Sequence, residues 1–416
     1  MWTIIGVVLA FSVMVVMLNR RYDLGFSMVV GTLVVGVFAG FGVGDFVEVV
    51  VKTVKNRTTI DLALIITLLW VLGTALKESG HLDRMIESLS RLLRDPRKIL
   101  MLIPSLVGLL TVPGGAIMSA PLINDLGSEM ELSDEAKTGV NLMFRHLWYP
   151  VYPLYPGLIM AARLGNVEIY DLVKLGVPVM VVTALLSFWY CFREYRPGSF
   201  VARVQGPRLP HLWHLMVSLA PVLMSMVLVV TLDFYFPTAI LLGIALGLLS
   251  YLDWTGGLGA VWHQLKGRVK TVAAQGFTWR PAMTIFGIML FREAVGASEA
   301  VVNTANALMA VGIPLGVLLV VVPLVTAVVT GMNMAAMGIA IPIFEPLLAS
   351  DILRTNAVFL IFLSSTAGYL VSPLHVCLVL TKQYFKAQFS GVYRFVLYPA
   401  GGMLVASVLV AWWAGL

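Results

Sequence analysis

Arg145 and His146 stand together in an apolar stretch, NLMFRHLWYPVYPLYPGLIM, just ahead of prolines 150, 153 and 156. An ionisable side chain at membrane depth costs about 3 kcal/mol on insertion scales, so its presence points to function. A guanidinium also matches a carboxylate or phosphate with two parallel hydrogen bonds. The alternative for Arg145 is snorkelling to the near interface, because a polar loop at 128–137 lies only a few residues upstream. Tyr152 and Pro153 continue the same broken stretch. A second stretch, FLSSTAGYLVSPLHVCL, places Ser365 and Thr366 about where the first has Arg145 and His146, and then sets Ser372, Pro373 and His375 around its own break. The ends of half-helices at such breaks bind anions at N-termini and cations at carbonyls. Ser and Thr also bond back to their own helix, and His375 is either a proton carrier or a satisfied polar group.

Two further interruptions carry small and neutral polar residues. The first is Thr111, Val112, Pro113, Gly114, Gly115, and the second is Thr330, Gly331, Met332, Asn333. Glycine lets a ligand approach the backbone, and hydroxyl and amide oxygens suit a sodium ion or a substrate oxygen. Read blandly, the same residues only turn a hairpin. Carboxylates are scarce where chemistry would need them: none lies centrally in an apolar segment, and Asp125 and Glu345 sit at matching outer positions of the interrupted segments. A carrier of cations usually keeps an acid at membrane depth, so this scarcity favours an anionic substrate. No HExxH, Walker A or clustered metal-spaced His motif occurs, and the histidines at 81, 146, 211, 214, 263 and 375 are scattered. The sequence therefore predicts neither an enzyme, nor a bound cofactor, nor a metal centre; sodium enters only as a coupling ion.

These residues need a scaffold, and the composition supplies its class. Of 416 residues, 59% are hydrophobic and 12% charged, against roughly 25% charged in soluble domains. The net charge of +6 sits in short loops between apolar runs, which is the positive-inside signal rather than a nucleic-acid surface. Cys191 and Cys377 both lie in apolar segments and make no disulfide framework. Apolar segments fall at 1–18, 24–44, 60–76, 99–127, 138–162, 168–192, 211–232, 234–252, 281–296, 313–349, 355–381 and 395–415. The first lacks a basic flank and a cleavage site and reads as a span, not a signal peptide. The stretches around 81–98 and 253–270 are amphipathic and read as interfacial helices.

Segments 99–127 and 313–349 are too long for one straight span and are interrupted, so both are expected to be re-entrant hairpins. Loop charge supports this. With hairpins, Lys52, Lys55, Arg57, Arg163, Lys174, Arg292 and Arg354 are the 7 on one side, and every other Lys and Arg except Arg145 makes 20 on the other; with single crossings the division is 14 to 13. Only the first satisfies the positive-inside rule, and it puts both termini outside the cytoplasm of a prokaryotic cell membrane. Residues 22–190 also align with 235–412 at an offset near 219–220, pairing Pro104 with Pro323, Thr111 with Thr330, Pro153 with Pro373 and Tyr155 with His375. An odd number of crossings per half inverts the second. The expected fold class is an all-α polytopic membrane protein of two inverted-topology repeats, each with a re-entrant helical hairpin and a proline-broken helix. The expected division is 1–192 for the first repeat, 193–210 for a cytoplasmic linker and 211–416 for the second. Such frames are common among secondary transporters.

Inverted halves with TVPGGA and TGMNMA hairpin tips, each followed by a proline-broken helix, resemble the ion transporter superfamily of divalent anion–sodium symporters, citrate and gluconate transporters and arsenite carriers. Within it the chain most resembles a prokaryotic membrane family of unknown function. The resemblance spans nearly the whole chain and implies a homodimer in the lipid bilayer, with a fixed scaffold and an elevator-like mobile domain holding both hairpins. The Ser-Asn-Thr tip motif of sodium–dicarboxylate members is absent in both copies; Thr111, Thr330 and Asn333 are partial substitutes. The resulting expectation is a secondary active transporter, a symporter moving a small anion with sodium or protons. The alternatives are a cation–proton antiporter with His146 or His375 titrating, and a membrane scaffold without flux.

Overall fold

The computed structural model describes residues 2–93, 95–109, 115–193, 195, 208–232, 234–298, 313–348 and 351–415. Within them the chain forms α1 (Trp2–Asn19), α2 (Leu24–Ala39), α3 (Val43–Lys55), α4 (Arg57–Glu78) and α5 (His81–Leu92). Next come α6 (Pro96–Leu109), α7 (Gly115–Glu129), α8 (Asp134–Arg145), α9 (Pro156–Gly165) and α10 (Ile169–Phe192). The rest are α11 (Arg208–Leu232), α12 (Phe236–Leu249), α13 (Gly257–Gly276), α14 (Arg280–Ala297), α15 (Leu315–Thr330), α16 (Asn333–Phe344), α17 (Asp351–Val371), α18 (Val376–Phe385) and α19 (Phe389–Trp413). No strand occurs among the described residues.

Several of these helices are long and apolar enough to cross a bilayer, including Arg57–Glu78, Ile169–Phe192, Leu209–Leu232 and Phe389–Trp413. Their outward faces are apolar too. Along α10, Val177, Val181, Leu185 and Trp189 repeat every fourth residue and are exposed, while Leu172, Val179 and Thr183 face inward. A continuous apolar exterior of this kind is a surface for lipid. The protein is a multi-pass membrane protein.

The interrupted segments fold back on themselves. The arms α6 and α7 pack together, as do α15 and α16. With 14 residues in α6 and 16 in α15, the arms are about 21 and 24 Å long, both short of a hydrocarbon core of about 30 Å. The second hairpin turns in two residues because Gly331 takes the left-handed conformation, φ +68°, which is strained for a residue with a Cβ. The proline-rich segments break as expected: α8 stops at Arg145 and resumes at Pro156, and α17 stops at Val371 and resumes at Val376.

The segment expected as one span at 24–44 ends earlier. The α2 helix stops at Gly40 in the left-handed region, and an amphipathic helix, α3, follows it. The alternation of valines with charged residues at 43–55 has a helical period that a search for long apolar runs passes over. Likewise α5, expected at the interface, buries His81, Leu82, Met85 and Leu89 and packs along α11.

Helix packing sorts the molecule into two sets, each drawn from both ends of the chain. In one, α2 packs on α1 and α14, α4 on α12, α13 and α14, and α11 on α5 and α12. In the other, α6, α7, α8 and α10 pack with α18 and α19 or with one another, α15 packs along α17, and α9 and α16 pack with each other and with α17. Contacts at the helix ends join residues that the loop charges assign to the same side. Arg84 covers the Tyr251 ring at 4.1 Å, and Arg268 donates to the Ser250 and Tyr251 carbonyls at 2.7 and 2.9 Å; all belong to the basic side. Arg292 pairs with Glu345 at 2.8 Å on the other.

Candidate functional site

The two chain breaks are built alike. Tyr155 and His375 each begin a ten-residue helix from extended backbone, and Asn166 and Lys386 each end it in the left-handed region. Glu168 and Gln388 then start α10 and α19. Members of each pair are 220 residues apart, extending the offset seen in the sequence. The breaks face each other in the second set of helices.

Arg145 closes α8 with only 6% exposure. Its guanidinium lies directly on the Cα of Gly115, where a Cβ would stand 2.6 Å from Nη1 and 2.9 Å from Cζ. Gly115 is the first residue of α7, so a fixed cation meets the positive end of a helix dipole. Behind it, Gly108 lets α6 press on the Arg145 carbonyl, and the Ser105 hydroxyl donates to the neighbouring Phe144 carbonyl at 2.9 Å. Thus the first hairpin is moulded around the end of α8. Thr111, Pro113 and Gly114 lie outside the described residues.

One helical turn before Arg145, Asn141 ties three elements together. Its amide donates to the Ala116 carbonyl at 2.8 Å and to Thr381 Oγ1 at 3.2 Å, while its oxygen accepts from Ser119 at 2.6 Å. This joins α8, α7 and α18. Sequence reasoning passed over Asn141; its signal is an isolated amide on an apolar helix four residues before the arginine.

His146 follows Arg145 and is buried. Its Nδ1 lies 2.7 Å from the Leu142 carbonyl, which assigns the proton to Nδ1 and leaves Nε2 an acceptor. The ring meets that of His375, with centroids 4.9 Å apart. Tyr149, at 4.8 Å from His146, and Tyr369, at 3.7 Å from His375, enclose the pair. Tyr149 also stacks on Tyr155 at 3.7 Å, and the Asn333 amide donates to the Tyr155 hydroxyl. A chain of rings therefore runs from the first break to the tip of the second hairpin. Tyr152 and Pro153 are buried within the first break.

The other expected residues make the following contacts. Thr330 donates to the Thr326 carbonyl at 2.7 Å and accepts from the Met332 amide at 3.3 Å, so its hydroxyl braces the turn. Gly331 rests against Leu374 at 2.8 Å from where a Cβ would stand. Ser365 and Thr366 both donate to the Phe362 carbonyl, at 2.7 and 2.8 Å. Ser372 donates to Val328 at 2.6 Å and accepts from the Leu374 amide at 3.2 Å, closing the second break onto α15. Pro373 is exposed.

A cavity of about 630 Å³ opens beside this assembly. Asp23, Gln275, Thr278, Arg280 and Thr284 line it from the first set of helices; Pro156, Met332 and Met334 line it from the second. It thus lies between the two sets and touches both the first break and the second hairpin tip.

The polytopic helical frame, with its folded-back helix pairs and two broken helices, has a counterpart among solved membrane-protein structures. It is similar to the crystal structure of the Alcanivorax borkumensis YdaH transporter, with a TM-score of 0.58 and 17% identity over 85% of each chain. The chain belongs to the DUF401 family, described as proteins of unknown function, which it matches over residues 3–413. No curated protein sequence matches it.

Proposed function

We propose that this protein is a secondary active transporter of the elevator type that moves a small organic or inorganic anion. The observation that carries this reading is the charge buried at the site. Among the described residues no Asp or Glu is buried, whereas Arg145 is, against the N-terminus of α7. Two features of positive sign held together away from water favour an anion beside them. The Thr330–Asn333 tip and the broken helices complete the binding region from the opposite side.

In this reading the two helix sets are a scaffold and a carrier, and the 220-residue correspondence of their elements reflects inverted repeats. The cavity between the sets reaches the second tip from residues of the basic, cytoplasmic side, which suits a carrier facing inward. Coupling to sodium through neutral tip oxygens, or to protons, and a homodimeric scaffold belong to the same proposal and rest on the resemblance to the ion transporter superfamily.

The test is an anion and cation screen by thermal shift on the purified protein, followed by gradient-driven uptake of the hits into proteoliposomes. Anion uptake that is lost in Arg145→Ala and partly kept in Arg145→Lys is the expected result. Proton-coupled cation flux unaffected by Arg145→Ala would overturn the reading, as would an absence of any gradient-driven flux.

A further inference from the structure

The rings at the meeting of the two breaks include a set of atoms that the transport reading does not use. The ring nitrogens of His146 and His375 and the sulfur of Cys377 lie within 4.8 Å of one another. The histidines are separated by 229 positions in the chain, so no local spacing announces them. Both imidazoles are at most 1% exposed. His146 Nε2 has no hydrogen-bond partner among the described residues, and neither ring nitrogen of His375 makes a hydrogen bond of ordinary geometry. Orphaned polar atoms buried in this way each cost about 1–3 kcal/mol, and several converging on one point call for a ligand.

We propose that His146, His375 and Cys377 form a binding site for one soft, monovalent d10 metal ion of the Cu+ class. Three features support it. The donor set, two imidazoles and a thiolate, is that of soft metals rather than of calcium or magnesium. His146 gives its Nδ1 proton to the Leu142 carbonyl at 2.7 Å, the pairing that fixes a metal-binding imidazole with its other nitrogen presented as donor. The distances are close to a bound geometry: metal–nitrogen bonds of about 2.1 Å and metal–sulfur bonds of about 2.3 Å need donors about 3.4–3.8 Å apart. Rotation of the side chains by about an ångström closes the site.

Charge selects the monovalent ion. On binding, the Cys377 thiol gives its proton to water and the sulfur takes the metal, so a monocation and the thiolate sum to zero. A dication would leave a net positive centre one residue from Arg145, with no buried carboxylate among the described residues to offset it. Access comes from the second break, where Leu374 and Val376 are 47% and 64% exposed on either side and Cys377 is half-buried.

The experiment uses the full-length protein in detergent. Cu+ is titrated anaerobically against a chromophoric Cu+ chelator, with Ag+ as a redox-inert probe in parallel. The expected result is one ion withdrawn per chain. Loss of affinity should be at least about 100-fold in Cys377→Ser and in His375→Ala, the upper end of what even the outer partners of a metal ligand cost. Cys191→Ser, which changes the other and fully buried cysteine, should bind as the parent does. Unfolding temperatures without metal establish that the variants are folded. A second readout needs no variant: Ag+ should slow maleimide alkylation of Cys377 at least tenfold in the parent protein. Absence of that protection, Cu+ affinity unchanged in Cys377→Ser, or tighter retention of Zn2+ than of Cu+ would each overturn the proposal. Arg145→Ala should retain the metal, so failure of the anion reading and failure of this one are told apart.

Discussion

Two glycines touch Arg145, and the structure assigns them opposite consequences. A methyl group at Gly108 would press on the Arg145 backbone, with the carbonyl carbon at 3.0 Å and the Cα at 3.3 Å from it. Carbon atoms rest about 3.5–4.0 Å apart, and backbone cannot step aside, so Gly108→Ala must push α6 off α8. Overpacking costs about 1–3 kcal/mol, and stretching the buried Ser105–Phe144 bond adds about 1 kcal/mol. Better helix propensity returns about 1 kcal/mol. The net is a destabilisation of about 1–3 kcal/mol, read as a lower unfolding temperature in detergent. At Gly115 the obstacle is instead the tip of a side chain, with Nη1 at 2.6 Å and Cζ at 2.9 Å. The guanidinium swings away by about 1 Å, so the loss of stability should be clearly smaller than that of Gly108→Ala. In the proposed function, what this would cost is the charge-assisted hydrogen bonding of Arg145 to the anion, about 1.5–3 kcal/mol, or roughly 10- to 150-fold in affinity. The assay pairs thermal unfolding with ligand-induced thermal shift for the best anion of the screen. Parent-like anion affinity in Gly115→Ala would refute the assignment of Arg145 to the ligand. Equal loss of stability in both variants would refute the contrast between side-chain and backbone neighbours.

Asn141→Leu removes three hydrogen bonds that join α7, α8 and α18. At about 1 kcal/mol each, it should cost about 2–4 kcal/mol, a drop in unfolding temperature that Ser119→Ala reproduces only in part. His81, at the basic end of the molecule, has its pKa lowered, chiefly by burial, which outweighs its contacts to the Ser218 and Gly247 carbonyls; Arg84 and Arg268 lower it further. Its depressed folded-state value means that the unfolded chain binds the proton more readily. Stability should therefore be full above about pH 6.5 and decline as pH falls below it, with the decline reduced in His81→Gln; a flat profile from pH 7 to 5 in the parent would contradict the burial argument.

The frame of this protein is legible from physical patterns that act locally. Hydrocarbon thickness sets apolar run lengths, and proline and glycine interrupt them, so the breaks after Arg145 and Val371 and the turn at Gly331 fall where the sequence places them. The loop-charge division also anticipates which ends meet, as with Arg84 beside Tyr251 and Arg268, and Arg292 beside Glu345. Side-chain assignments were less legible. Ser365, Thr366 and Ser372 spend their hydroxyls on nearby backbone carbonyls, the first two on their own helix. Asn141 and Cys377 owe their roles to partners more than two hundred positions away, Thr381 for the first and His146 for the second. The α3 helix was hidden for a different reason, since its apolar residues follow a helical period without forming a run.

The bond between Asn141 and Thr381 joins residues 240 positions apart, and it sets a schedule for synthesis. At about 5–20 residues per second, Thr381 leaves the ribosome roughly 12–48 s after Asn141. During that interval Asn141 and Arg145 have only the earlier α6 and α7 against them, and His146 still lacks α17 and the second break that will enclose it. A polar cluster cannot wait that long against bare lipid. The newborn first half must therefore shelter it, in a water-lined fold of its own or within the insertion machinery, until the second half arrives.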